Sequence, residues 1–367
     1  MTSEASTPTV SRAQGIDVTR ALAALSVLTY HVWLYGLPNP NRPTREGWAS
    51  YALFEMRVGL VVFFVLSGYL LYRPLLRRDG GGKGWHLKPL ATGTYYRRRV
   101  LRIVPAYYLA IIGSVVLLWG LDGTPGVRLP EASQLWLFFI FAQNYNPQTL
   151  LTLDAPTWTL AVQAAFYAVF PLLIWFARPL GRRMWLMPIA LIMLGVAWNA
   201  YTFNHQLGAV ARLALPAMMP YMALGMLAAH WPARSRRDAW LAIGFGVVLA
   251  LGNSTWHALA GGSDVLGVVR DIPGAIGFAL ITLGVAYPLL GSSRKLLPLE
   301  SFGRWSYGIF LWHLPLLLWL QGHGLRPANG LLAWLLLVIA AAAVGALNWR
   351  FIERPMIARS RGTLNKL

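Results

Sequence analysis

Ten apolar runs, each near the length of a helix that crosses a membrane, are spaced along this 367-residue chain. They lie near 16–36, 51–76, 99–121, 157–178, 184–203, 212–231, 239–256, 270–291, 304–321 and 331–352. A hydrocarbon core about 30 Å thick takes about 20 apolar residues in a helix. Composition agrees: 56% of the residues are hydrophobic and 12% charged, about half the charged share of a soluble domain. Such a chain is not a soluble nucleic-acid-binding protein, a disordered tail or an ordinary cytosolic enzyme. The expected fold is an all-α integral membrane bundle of about ten transmembrane helices. The first run is too long for a signal-peptide core, and no small-residue cleavage site follows it. The absence of cysteine removes disulfides, thiolate nucleophiles and cysteine metal sites.

Charge sets the expected orientation. Lys+Arg number 32 against 13 Asp+Glu. If the amino terminus is inside and ten helices alternate, only Arg42, Arg45, Arg57, Arg128, Arg212, Arg270 and Arg326 fall outside. The other 25 basic residues lie inside, a strong positive-inside bias. An eleventh run, Leu135 to Ala142, is too short to cross. Were it to cross, the later basic clusters would change sides, so it reads as a re-entrant or buried segment on the outer side. Both termini are then cytoplasmic, on a multi-pass protein of the cell membrane. Residues 1–14 read as a disordered tail, 15–356 as one membrane domain and 357–367 as a basic cytoplasmic tail. The stretch 77–98 reads as a Gly-rich, basic loop.

All thirteen acids fall in loops or near run ends, so a carboxylate ladder for carrying cations is missing. Of seven histidines, only His31 and His313 sit well inside runs. Ionisable groups at depth are costly and are candidates for function, although either ring could simply bond a neighbouring helix. His31 lies five residues below Gly36, roughly 7.5 Å deep at 1.5 Å per residue. Gln163 lies five residues past Trp158, in Trp158-Thr-Leu-Ala-Val-Gln163-Ala-Ala-Phe-Tyr167, so its depth is about the same. The two could share a site, or Gln163 could bond across helices.

Further along, Tyr96-Arg97-Arg98-Arg99-Val-Leu-Arg102 opens the third run. Arg98 and Arg102 are i, i+4 neighbours, and forked guanidinium groups suit phosphate. The bland alternative is a topological anchor. Arg57 stands out among the few outer basic residues and could meet an acceptor or neutralise Glu55. Gly59, Ser67 and Gly68 in the second run read mainly as close helix packing.

Taken together, these segments resemble the acyltransferase 3 family of integral-membrane O-acyltransferases. The matching motifs are Gly15-Ile-Asp17-Val-Thr-Arg20 followed by His31, Val61-Val-Phe63-Phe64-Val-Leu-Ser67-Gly68-Tyr69, and Tyr96 to Tyr107. Ser306-Tyr307-Gly-Ile-Phe-Leu-Trp-His313-Leu-Pro315 and Glu353-Arg354-Pro355 close the series. They run in order from about Gly15 to Pro355. The resemblance implies transfer of an acyl group, often acetyl, from cytoplasmic acyl-CoA as co-substrate to a hydroxyl of a carbohydrate or glycosylated metabolite. It implies no bound cofactor, no metal and no nucleic acid, with membrane lipid as surroundings. His31 would be the catalytic histidine, with Gln163 beside it, and Arg20, Arg97, Arg98 and Arg102 would bind the donor. Asp17, Arg57, Ser67, Trp158, Tyr167 and His313 would support the site. Some relatives carry an appended hydrolase-like domain that this sequence lacks, so transfer is expected to finish in the membrane domain or on a separate protein.

One departure stands out. The family normally has glutamate where this chain has Gln163. An amide can orient a catalytic histidine, yet an Asp-to-Asn change in a serine-protease triad costs about 10⁴ in rate. Two other functions fit a ten-helix chain: a carrier or flippase of a sugar lipid, and a non-catalytic membrane subunit.

Overall fold

The computed structural model describes residues 14–40, 43, 47–78, 85–259, 264–287 and 296–362. Nearly all of its regular structure is helical. In chain order the helices begin with α1 (Gln14–Leu34), α2 (Gly47–Glu55) and α3 (Gly59–Tyr72). A short hairpin of β1 (Leu76–Arg78) and β2 (Trp85–Leu87) follows. Next come α4 (Thr92–Leu118), α5 (Trp136–Phe139), α6 (Trp158–Ala177), α7 (Leu186–Asn204) and α8 (Ala209–Arg212). The chain continues through α9 (Leu215–Ala228), α10 (Arg236–Leu259), α11 (Asp264–Val269) and α12 (Ile272–Val285). It ends with α13 (Leu297–Gly322), α14 (Gly330–Asn348) and α15 (Arg354–Gly362).

A helix occupies each of the ten apolar runs. Among the described residues, seven helical stretches are long and apolar enough to cross a membrane: Gly47–Leu75, Thr92–Leu118, Ala155–Arg183, Leu186–Asn204, Ala209–Ala228, Arg236–Leu259 and Gly330–Ser360. This is a multi-pass membrane protein. The physical reason is that a helix satisfies its own backbone hydrogen bonds, which lipid cannot do. Pro216, Pro273 and Pro298 occupy first turns, where a missing N–H costs nothing. The Asn329 side chain accepts from the backbone N–H groups of Leu331 and Leu332 to cap α14.

The stretch 77–98 is not simply a loop. Leu76 pairs with Leu87 and Arg77 with His86 in an antiparallel ladder, which leads directly into α4. The Gly-rich turn itself, 79–84, lies outside the described residues, as do 1–13 and 363–367. Residues 357–362 of the expected tail continue α15. The short run Leu135 to Ala142 holds only the four-residue α5. Two α4 tyrosines bind it: Tyr107 Oη donates to the Phe138 carbonyl at 3.0 Å and Tyr108 Oη to that of Phe139 at 2.6 Å.

Two close crossings place the side chains of the candidate site. A β-carbon at Gly68 would collide with the Met222 carbonyl, and one at Gly225 with that of Val65. Backbone contact between α3 and α9 thus fixes the rotation of α3, which turns Ser67 away from α9 into a cavity. Gly303 of α13 likewise lies against the Asp17 carbonyl of α1. That approach brings His313 and His31 onto facing helices.

Candidate active site

Two cavities lie within the helix bundle and share a wall of Leu60, Thr159 and Phe310. The basic cavity receives Arg20 from α1, Ser67 from α3, Arg99 and Arg102 from α4, and Gln163 and Tyr167 from α6. The histidine cavity receives Tyr30 and His31 from α1, Tyr35 just beyond it, Arg57, Arg128 and Trp158. Their volumes, open mouths included, are about 890 and 1210 Å³.

Behind Arg20, which lines the basic cavity, the Asp17 carboxylate is buried 3.9 Å from the guanidinium. Arg99 stands over two aromatic rings, 5.9 Å from the centre of Tyr95 and 5.7 Å from that of Tyr167. Such stacking suits a planar guanidinium. Among the described residues its buried Nε has no hydrogen-bond acceptor, a cost that an anion entering the cavity would relieve. Tyr307 on α13 closes the cavity and donates to the Ile103 carbonyl at 3.0 Å.

The pairing of arginines differs from the sequence expectation. Arg102 faces the cavity, and its partner there is Arg99 rather than Arg98. Arg98 is exposed, and Arg97, also exposed, donates to the Arg359 carbonyl at 3.3 Å. Arg99 and Arg102 are three residues apart, a spacing that shares a face as readily as four. The run of arginines therefore held the signal without saying which of them turn inward.

Gln163 and His31 are not hydrogen-bonded to each other. Gln163 donates through Nε2 to Ser67 Oγ at 2.6 Å. His31 Nδ1 lies 2.9 Å from the Val27 carbonyl and 3.1 Å from His313 Nε2. His313 is buried, and its Nδ1 lies 2.7 Å from the Phe310 carbonyl. The imidazole centres are 5.0 Å apart. A carbonyl can only accept, so both Nδ1 atoms carry protons. His313 Nε2 is then a bare acceptor beside His31. Among the described residues, the hydrogen bonds of His31 all run through Nδ1, and the ring lines its cavity with Nε2 left without a partner.

Arg57 is the hub of a buried cluster at the edge of the histidine cavity. It donates to both oxygens of Asp271, at 2.8 and 3.1 Å, and to Glu55 Oε1 at 3.3 Å. It also donates to His257 Nδ1 at 2.8 Å. Ligand atoms of Glu55, His257 and Asp271 lie within 4.8 Å of one another, close enough to hold a cation. The Arg57 guanidinium bridges all three. Both oxygens of the buried Asp271 carboxylate thus accept from one guanidinium, which compensates its charge. The sequence reading linked Arg57 to Glu55. Asp271 lies 214 positions away and carried no local sign of the contact. Asp154, just ahead of α6, is a further buried acid; among the described residues neither oxygen has a hydrogen-bond partner, and burial pushes its pKa well above the usual aspartate value.

Comparison with known proteins bears on this geometry. The acyltransferase 3 family model, described as an acyltransferase domain, matches residues 14–350. YrhL of Bacillus subtilis, named provisionally as a peptidoglycan O-acetyltransferase, is 25% identical over 379 residues, covering 93% of this chain and 54% of its own. The O-acetyltransferase OatA of Staphylococcus aureus is 24% identical over 375 residues, covering 93% and 57%. The peptidoglycan O-acetyltransferase OatA of Listeria monocytogenes is 24% identical over 381 residues, covering 95% and 56%. The chain thus spans little more than half the length of these relatives. No solved structure matches it.

Proposed function

This chain belongs to the acyltransferase 3 family, and from that premise we propose that it is an O-acyltransferase that moves an acyl group from acyl-CoA to a carbohydrate hydroxyl. The observation that carries this reading is the pair of cavities meeting at Leu60, Thr159 and Phe310, one cationic and one holding His31. Phosphates of the donor are bound by Arg20, Arg99 and Arg102 in the basic cavity, which faces the cytoplasm. The slender pantetheine arm passes Gln163 and brings its thioester to the shared wall. The acceptor enters the histidine cavity from outside, where Tyr30, Tyr35 and Trp158 offer ring faces to a sugar. Acetyl is the favoured group and a peptidoglycan-type glycan the favoured acceptor, since the relatives are named for that chemistry. The chain sits in the cell membrane with ten crossings and both termini in the cytoplasm, in keeping with its charge distribution.

The chemistry uses the chain's own residues. Nε2 of neutral His31 removes the proton of the acceptor hydroxyl as the oxygen attacks the thioester carbonyl. The tetrahedral intermediate collapses, the carbon–sulfur bond breaks, and the imidazolium returns the proton to the leaving thiolate. Ester and free CoA thiol result, and His31 is neutral again. With donor and acceptor in adjoining cavities, transfer is direct and much of its advantage is proximity.

The reading is tested with purified protein in proteoliposomes, labelled acetyl-CoA and a soluble muramic-acid-containing glycan. Label is expected on the glycan with the parent protein. His31→Ala is expected to abolish transfer while gel filtration shows an intact protein. Full activity in that variant would remove the general base, and no transfer by the parent would count against the reading as a whole.

A further inference from the structure

We infer that His313 is the positioning residue of the reaction, holding the His31 ring and supporting its positive charge as the proton arrives. This rests on the acyltransferase reading above. The geometry is specific. His313 Nδ1 lies 2.7 Å from the Phe310 carbonyl and 3.2 Å from that of Ile309. Both partners are acceptors, so the proton of His313 is committed to Nδ1 and its Nε2 presents a lone pair. That lone pair stands 3.1 Å from His31 Nδ1. His31 Nδ1–H also reaches the Val27 carbonyl at 2.9 Å. The hydrogen is shared between the two acceptors, and His31 Nε2 is left bare.

Two acceptors on one N–H do more than choose a tautomer. The Val27 carbonyl belongs to the same helix as His31 and fixes only the ring's relation to α1. His313 comes from α13 and fixes the ring against a second helix. When Nε2 takes a proton, the Nδ1–H bond becomes charge-assisted and roughly doubles in strength. The gain is thus larger after proton transfer than before it, which is what lowers a barrier. His313 supplies this without a buried negative charge.

The place of the glutamine follows from the same contacts. Gln163 is engaged by Ser67 in the basic cavity, so its amide does not orient His31. Among the described residues, the side-chain group bonded to His31 is His313. The side chain that positions His31 therefore lies in the segment Trp312-His313-Leu314-Pro315, not in the Trp-Thr-Leu helix. The close approach of Gly303 to the Asp17 carbonyl sets α13 near enough to α1 for the two rings to meet.

Two substitutions and one spectroscopic measurement test the inference. His313→Gln keeps an acceptor oxygen near the place of Nε2, whereas His313→Leu keeps bulk and removes the acceptor. With acetyl-CoA and the muramic-acid-containing glycan, His313→Leu is expected to lower kcat about 10- to 100-fold, the worth of one charge-assisted bond. KM for either substrate should stay within about twofold of the parent value. His313→Gln should recover most of the lost rate. In protein labelled with nitrogen-15 at histidine and reconstituted in lipid, solid-state NMR should show a coupling across the hydrogen bond between two imidazole nitrogens. That coupling should vanish in His31→Asn and in His313→Gln. Loss of rate in both His313 variants with equal loss of thermal stability would assign His313 a merely structural role and overturn the inference. So would a His313→Leu protein with undiminished kcat, or absence of the coupling in the parent. A parent that transfers nothing counts against the acyltransferase reading, and the nitrogen coupling, which needs no activity, still decides whether the two rings are bonded.

Discussion

Gln163 and His31 show what one residue's position along a helix does and does not reveal. Their depths follow from a rise of 1.5 Å per residue, and each was legible as a polar group roughly 7.5 Å below a helix end. The direction each faces was not legible, because it depends on how α1, α3 and α6 are rotated by their neighbours. The α3–α9 crossing turns Ser67 toward Gln163, and the α1–α13 crossing brings His313 to His31. The Ser67–Gln163 pair should act as a unit in donor binding. Ser67→Ala and Gln163→Ala are each expected to weaken acyl-CoA binding a few-fold with little effect on acceptor KM. The double variant should lose less than the two singles combined, with a coupling of about 1 kcal/mol for one neutral hydrogen bond. Titration calorimetry of the four proteins with acetyl-CoA reads this directly. Strict additivity would mean that the bond does not organise the cavity.

Among the elements, α4 carries the densest chemistry. Its apolar body was plain from the sequence, and so was the arginine cluster at its start. Which arginines turn inward is decided by packing: Tyr107 and Tyr108 tie one stretch of the helix to α5, and Tyr95 and Tyr96 donate to the Tyr167 and Ala168 carbonyls of α6. These ties orient Arg99 and Arg102 into the cavity and leave Arg98 exposed. Arg99→Ala and Arg102→Ala should each raise the Kd for acetyl-CoA at least about tenfold, as loss of a charged hydrogen bond to phosphate implies. Arg98→Ala should change it by less than about twofold, since an exposed, screened charge contributes little. Equal losses at all three positions would mean that the cluster attracts the donor through its summed field and that no particular face of α4 binds it. The hairpin before α4 was less legible: each of its strands has three residues, too few for an alternating pattern to stand out.

At the scale of the whole molecule, the two cavities matter only if they open to opposite sides, and that depends on the number of crossings. The critical segment is Leu135 to Ala142. A four-residue helix rises only about 6 Å, against a hydrocarbon core of about 30 Å, and α5 is bound to α4 through two tyrosines. Its apolar residues are still suited to membrane depth, with Phe138 buried and Trp136 and Ile140 exposed. The composition of the run therefore spoke for the membrane and its length against crossing. The chain lacks cysteine, so single introduced thiols report position without background. Asp122, Gln148 and His323 are exposed, as are Arg182 and Arg237. With an impermeant thiol reagent on intact cells, Asp122→Cys, Gln148→Cys and His323→Cys should label. Arg182→Cys and Arg237→Cys should label only after permeabilisation. Labelling of Asp122→Cys with protection of Gln148→Cys would show that the short run crosses after all, which would move every later loop to the other side. Protection of the first three together with labelling of the last two would invert the whole bundle. It would then put the basic cavity outside, away from cytoplasmic acyl-CoA, and the direction of transfer would have to be reversed.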